Sequence, residues 1–333
     1  MTDLRDLPEL RRGAEWAIAA GVALELGLID ELAERPAGPG TLASRLGLEA
    51  RGVEALLGAL DALGAVEQQD GIWRLTGQAR ARFVDRDTPD FEADSLRHWM
   101  RSIRRWATEL ESAVRTGGPP PGRQTPADGA KTGRELENFM AAMANRAPSR
   151  TAAVADAVRR AAPAALSLLD VGGGPGVLAR ALAERGFQVT LLDRTEVIEL
   201  VAERYGLSQA SGIRLLAGDV FELVPDPAFD VVLLSNLSHI YGPERNRDLL
   251  ARASGVLAPG GSLAIVDFVR GVSEFAPLFA LTMLLSTYEG GTWTLKQYES
   301  WLRGAGLEHV RCRTILPEVQ LLTAVRPAGS HAP

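Results

Sequence analysis

The stretch from Leu168 to Leu182 of this 333-residue chain, LLDVGGGPGVLARAL, holds the residues whose types and spacing bear most directly on chemistry. An apolar run ends in Asp170, four glycines follow within five positions, and a helical pattern begins at once. Such a turn lets a ligand touch bare backbone, and a carboxylate at the strand end lies within reach of whatever sits there. A triphosphate loop needs a lysine and a hydroxyl after its last glycine, whereas Gly176 is followed by Val177, Leu178 and Ala179. A dinucleotide fingerprint needs G-x-G-x-x-G, and counting from Gly172 and Gly174 its third position is Val177. The glycines instead fall at Gly172, Gly174 and Gly176, beginning two residues after Asp170. Taken alone, the same spacing also suits a tight turn with no ligand.

The elements that must position this turn are legible around it. From Leu166 onward, strand-like runs (LSLLDV, QVTLLD, IRLLAGDV, FDVVLLSN, SLAIVDFV) alternate with helical ones (VLARALAERG, EVIELVAERYG, ERNRDLLARASGVLAPGG). Continuous apolar strands spaced by amphipathic helices predict a parallel sheet covered on both faces. The chain then closes with HVRCRTI and VQLLTAVRP, joined by a turn at Leu316-Pro317-Glu318, which predicts a last strand antiparallel to its neighbour. The expected fold class is α/β, a Rossmann-like sheet of seven strands, with a mostly helical N-terminal domain. Two more acids fall at strand ends. Asp193 closes the second strand about twenty residues beyond Gly172, where a carboxylate can accept both hydroxyls of a ribose. Asp219 follows the third strand in AGDVF, with Phe221 beside it.

The glycine spacing behind Asp170, the two later aspartates and the terminal hairpin together resemble the class I S-adenosylmethionine methyltransferases. The resemblance implies S-adenosylmethionine as cofactor and S-adenosylhomocysteine as product. It implies that Asp170, Gly172, Gly174 and Gly176 meet the methionine end, the aspartate facing its ammonium directly or through water. Asp193 then serves the ribose, Arg194 beside it is a further cofactor contact, and Gly218, Asp219, Val220 and Phe221 serve the adenine. Ser235 and Asn236, where the fourth strand ends, complete the same edge.

Upstream, Ala14 to Glu34 reads as a helix greasy on more than one face. GTLASRLGLEARGVEALLGALDALGAVEQQDGIWRLT follows as a helix, a turn at Gly47, a helix from Ala50 to Leu63, and a hairpin turning at Asp70-Gly71, which is a winged-helix order. Its second helix carries Arg51, Glu54 and Asp61 and no basic cluster, so nucleic-acid binding is not expected. A helical stretch over 90–115 with Trp99 and Trp106, a Pro/Gly-rich loop over 115–133, and helices over 134–147 and 150–162 lead into the sheet. The expected domains are 1–88, a linker at 89–163 contributing to the substrate pocket, and 164–328.

Over almost the whole chain this plan resembles the dimeric small-molecule O-methyltransferase family of plant caffeate and hydroxyindole enzymes and bacterial tailoring enzymes. The resemblance implies that the N-terminal module makes a homodimer. It also implies that His239, in SNLSHIYGPERN after the fourth strand, is the catalytic base. An imidazole with an ordinary pKa near ~6.5 can take a phenol's proton as the oxygen attacks a methyl group. Asp267, ending the fifth strand in AIVDFV, falls on the first of the family's two flanking acids, and Thr292 on the second, with Glu289 nearby. Ile240 stands where an aspartate is usual. Phe139, Met140 and Met143, with Phe279, Met283, Thr292 and Trp293, are the expected walls of a flat apolar pocket. The thinner acid set leaves two alternatives: bound S-adenosylmethionine used without methyl transfer, in hydroxylation, pericyclic or cyclisation chemistry, and C-methylation. No metal is expected.

The bulk numbers set outer bounds. With 46% hydrophobic and 23% charged residues the chain is an ordinary globular one, and a net charge of -6 gives no general attraction to polyanions or anionic membranes. A lone cysteine, Cys312, excludes an intrachain disulfide. The N-terminus carries no signal-like apolar core and the longest apolar stretch, 275–285, is too short to span a bilayer, so a cytoplasmic protein is expected.

Overall fold

The computed structural model describes residues 6–120, 131–145, 148–222, 225 and 228–329. It divides into two compact units, residues 1–104 with 145–147 and residues 105–144 with 148–333.

The first unit runs α1 (Leu7–Glu25), α2 (Leu28–Glu34), α3 (Pro39–Leu46), α4 (Ala50–Ala62), a hairpin of β1 (Val66–Gln69) and β2 (Ile72–Leu75), and α5 (Gly77–Phe83). The opening residues of α6 (Ala93–Thr116) complete it. The single helix expected over 14–34 is instead two, because Gly27 adopts φ +74, a left-handed conformation that stops α1 and starts α2. The break turns Leu28, Ile29 and Leu32 into one buried core with Leu42, Leu57 and Leu60. The hairpin turn places both Asp70 and Gly71 at positive φ, as a two-residue turn matched to strand twist requires.

In the second unit, α7 (Gly133–Ala144) and α8 (Pro148–Ala161) lead to β3 (Ser167–Val171), α9 (Val177–Glu184), β4 (Gln188–Asp193), α10 (Thr195–Arg204) and β5 (Ile213–Ala217). Next come β6 (Phe229–Ser235), α11 (Pro243–Gly255), β7 (Leu257–Asp267), α12 (Ala276–Ser286), α13 (Leu295–Gly304), β8 (Glu308–Leu316) and β9 (Val319–Val325). Of the loop expected over 115–133, residues 121–130 lie outside the described residues, as do 146 and 147 at the end of the helix expected to reach 147.

The seven strands stand in the order β5-β4-β3-β6-β7-β9-β8. All are parallel except β9, which runs antiparallel to both β7 and β8. Within a strand, successive side chains go to opposite faces: Leu168, Val231 and Leu233 pack with α8, α9 and α10, while Leu169, Val232 and Leu234 pack with α11 and α13. Each such leucine, fully removed from water, contributes about 1.5–3 kcal/mol, and the two cores hold the strand ends in fixed register. The chain steps outward from β3 through β4 to β5, then returns to β6 beside β3. That reversal opens a crevice at the carboxyl ends of β3 and β6, where a doubly wound sheet receives its ligand. Among the described residues no helix is long and apolar enough to cross a membrane.

Candidate active site

The strand ends deliver the acids. Asp170 lies within β3 one residue from its end, Asp193 ends β4, Ser235 ends β6 and Asp267 ends β7. Asp170 is buried, and neither of its carboxylate oxygens has a hydrogen-bond partner. Burial, and then the charge of Asp193, push its carboxyl up to about 7. A buried acid left unpaired at this cost suits a cationic or hydrogen-bonding ligand.

Above it the chain makes its glycine turn. Gly172, Gly174 and Gly176 all take positive φ, and Gly172 donates its N–H to the Leu192 carbonyl at 2.7 Å. Gly174 donates to Asp193 Oδ2 at 2.9 Å, and Arg194 N–H takes Asp193 Oδ1 at 2.8 Å, so Asp193 is anchored while each oxygen keeps a further lone pair. Burial raises the Asp193 carboxyl, against the lowering pull of those two amides. The third glycine answers to packing: a Cβ at Gly176 would overlap Leu207. Sequence reasoning passed over Gly173, yet a Cβ there would sit 2.6 Å from Leu191 Cγ and 2.8 Å from Asp170 Oδ2. It is the residue that lets the turn lie on the buried acid.

Further along this edge, Gly218 donates to the Asp193 carbonyl at 2.9 Å, and Asp219 Oδ1 accepts the Phe221 N–H at 2.8 Å, closing a local turn. Phe221 meets Tyr241 edge to face, and the Arg245 guanidinium stands 4.2 Å from its ring centroid. Val220 packs on the core beneath. At the end of β6, Asn236 adopts φ +54 and donates its N–H to the Val266 carbonyl, while its side chain donates to Ser235 Oγ at 3.1 Å. Asparagine is among the few side chains that tolerate this conformation, and it bends the strand into the loop carrying His239. A Cβ at Gly172 would lie 3.1 Å from Leu237 Cδ1 in that loop, so the histidine loop packs on the glycine turn.

His239 is buried, with Nδ1 2.8 Å from Asp267 Oδ1. Asp267 Oδ1 also accepts the Phe268 N–H at 2.8 Å, and Oδ2 accepts the Ser238 hydroxyl at 2.6 Å. Burial alone would raise the Asp267 carboxyl. The electrostatic pull of the neighbouring His239 ring and these hydrogen bonds outweigh burial and hold it below the usual carboxylate range. An ionised carboxylate only accepts, so Nδ1 carries the proton and Nε2 presents a lone pair. Glu289 lies against Gly242 and Thr292 is buried with its hydroxyl unpartnered, and neither hydrogen-bonds His239. The loop containing them nevertheless seats the histidine: Gly291 donates to the His239 carbonyl at 2.9 Å, and a Cβ at Gly290 would lie 2.5 Å from that oxygen.

The expected pocket residues separate by what they touch. The Phe279 ring meets the His239 ring edge to face at 4.7 Å, and Trp293 donates its indole N–H to the Ser238 carbonyl at 3.1 Å. Met140 on α7 is the neighbour of Gly174, and Phe139 carries the Lys131 ammonium 4.5 Å from its ring centroid. Met283 is buried on α12, and Met143 is half-buried on α7. Beyond Gly173, the sequence reading also missed Ser238, Asn246 and Tyr298. Asn246 donates to the carbonyls of Ser238, Tyr241 and Gly242, pinning the histidine loop, and Tyr298 lies 2.7 Å from Ser238 Oγ.

Comparison with known proteins gives this geometry its relatives. Residues 125–308 match the family described as O-methyltransferase domain. The chain is 31% identical to 3-hydroxy-5-methyl-1-naphthoate 3-O-methyltransferase of Streptomyces sahachiroi, over 92% of this chain and 90% of that one. It is 29% identical to the tetracenomycin polyketide synthesis 8-O-methyl transferase of Streptomyces glaucescens, over 88% of each. Among solved structures, human N-acetylserotonin methyltransferase in complex with its S-adenosylmethionine superposes with a TM-score of 0.81. It covers 98% of this chain and 99% of its own, at 23% identity, and so shares the fold.

Proposed function

Because the chain belongs to the O-methyltransferase family, we propose that it methylates a hydroxyl of an aromatic or polyketide-like small molecule with S-adenosylmethionine, His239 acting as general base. The observation that carries the reading is the His239–Asp267 pair, whose orientation leaves Nε2 as the acceptor, in a sheet that also buries an unpartnered Asp170 at a strand end.

The residues fit this cofactor. Asp170 has two orphaned oxygens for an ammonium, Gly172 and Gly174 leave the backbone bare, and Asp193 keeps lone pairs for ribose hydroxyls. Arg194, Gly218, Asp219, Val220 and Phe221 would line the adenine side, and Ser235 with Asn236 the edge facing β6. When bound, the cofactor supplies an electrophilic methyl group. Phe279, Met283, Thr292 and Trp293, with Phe139, Met140 and Met143, would hold the acceptor ring; the Thr292 hydroxyl, lacking a partner, is available to an acceptor oxygen. His239 Nε2 takes the acceptor's hydroxyl proton, and Asp267 stabilises the imidazolium that results. Such a base contributes about 10²–10⁴-fold, in addition to what positioning supplies.

The helix-and-hairpin unit we read as the dimerisation module. Its support is α1, where Leu7 and Leu10 stand 56% and 52% exposed.

The test uses S-adenosylmethionine carrying a labelled methyl group and a panel of hydroxynaphthoates, hydroxybenzoates and hydroxyanthraquinones. Label on an acceptor oxygen with equimolar S-adenosylhomocysteine is the expected result. Label on carbon, or turnover with the cofactor unconsumed, would replace this reading with one of the two alternatives.

A further inference from the structure

Ser238 and Tyr298 extend the His239–Asp267 pair into a chain of four side chains whose direction is assignable. Asp267 accepts on both oxygens, and the single hydroxyl hydrogen of Ser238 goes to Oδ2 at 2.6 Å. Ser238 then has no hydrogen left for Tyr298, 2.7 Å away, so the phenol donates to Ser238 Oγ. Burial, and then the charge of Asp267, push the Tyr298 phenol well above the tyrosine range, which keeps it a neutral donor. Hydrogens therefore run from Tyr298 to Ser238 to Asp267 on one side, and from His239 Nδ1 to Asp267 on the other.

The elements explain why this order persists. Tyr298 lies in the first turns of α13, which is fixed by a capping box between Thr294 and Gln297. Trp293, just before that cap, donates to the Ser238 carbonyl. The start of α13 thus grips residue 238 by main chain and side chain, while Asn246 holds the same carbonyl from α11 at 2.9 Å. A serine hydroxyl is a free rotor, and a donor on its oxygen leaves its own hydrogen one good acceptor. Each bond in such a chain polarises the next.

We propose that Tyr298 and Ser238 are positioning residues for the base: the α13 phenol fixes the Ser238 rotor on Asp267, and the carboxylate so held orients His239 with its proton on Nδ1 and Nε2 facing outward as the acceptor. The catalytic consequence rests on the reading of His239 as base, whereas the chain itself does not.

The experiment is nuclear magnetic resonance of protein labelled with ¹⁵N-histidine, at about pH 8, above the ordinary imidazole range. The signal of His239, one of four histidines, is assigned by its loss in His239→Gln. The wild type is expected to show a proton on Nδ1 and a bare Nε2; a proton on Nε2 overturns the proposal without any variant needing to fold. In Ser238→Ala the Nδ1 proton should move downfield, because Asp267 loses a competing donor and draws harder on the imidazole. In Tyr298→Phe, which keeps the ring in its buried seat, it should move the same way by less, and by less still in the Ser238→Ala background. A signal unmoved in both variants, or a Tyr298→Phe shift undiminished without Ser238, overturns the chain, since a packing role would change only the melting temperature. Where methyl transfer is measured, kcat of Tyr298→Phe should fall about tenfold, the scale of a sub-ångström misplacement of a catalytic group, with KM for S-adenosylmethionine unchanged. A loss in His239→Ala under about tenfold would remove the base and leave the resonance result standing, so the two readings fail separately.

Discussion

At the scale of single residues the account turns on two aspartates with opposite environments. Asp267 accepts three hydrogen bonds and is held below the carboxylate range, so on the proposed reading its work is to orient and to offset charge. In Asp267→Asn the amide can donate to Nδ1 and drive the proton onto Nε2, so kcat should drop by about 10² or more with S-adenosylhomocysteine affinity retained. Steady-state kinetics beside calorimetry checks this. Asp170 has no donor, and its carboxyl is pushed up to about 7. In the ligand-free protein it holds a proton that the unfolded chain releases near ~4, so the folded state binds more protons over that window. The sign follows: its contribution to stability falls as pH rises from about 4 to about 7. Asp170→Asn should therefore raise the melting temperature of ligand-free protein at about pH 8 while weakening S-adenosylmethionine binding roughly tenfold or more, the worth of a lost charged hydrogen bond. Wild-type binding should tighten as pH rises through about 7 and release a proton below it, read by calorimetry in two buffers of different ionisation enthalpy.

At the scale of elements, the glycine turn makes its own prediction. A methyl group at Gly173 meets Leu191 and Asp170 inside a packed core, so Gly173→Ala should cost about 1–3 kcal/mol of stability and abolish cofactor binding. At Gly174 a Cβ finds, among the described residues, only Met140, with Sδ at 3.8 Å and Cε at 4.0 Å, and the cost of Gly174→Ala is backbone strain of about 1 kcal/mol. Denaturant melts of the two variants rank them. The sequence reading left Gly173 out of this turn because glycine spacing carries no mark of packing, and Gly173 is required by what lies beneath it, Leu191 and Asp170. The strands were legible since runs such as LSLLDV and FDVVLLS are buried on both faces. The break at Gly27 was not, because a lone glycine in an apolar helical run carries no local mark of its conformation. Ser238 and Tyr298 stayed hidden for a different reason: they are 60 residues apart, and only the folded sheet brings α13 to the end of β6.

At the scale of the whole molecule, the order β5-β4-β3-β6-β7-β9-β8 gathers the carboxyl ends of five parallel strands on one rim, and every acid of the site arises there. The exposed leucines of α1 put the proposed dimer to test: if it forms through this helix, Leu7→Glu with Leu10→Glu should turn it to monomer in light scattering, whereas a wild-type monomer would contradict the proposal. The central claim is that His239 takes the acceptor's proton during methyl transfer. Its most direct measurement is the kcat of His239→Ala against wild type with labelled S-adenosylmethionine, alongside S-adenosylhomocysteine affinity. A fall of about 10²–10⁴-fold at unchanged affinity is predicted, and a fall of less than about tenfold would contradict it.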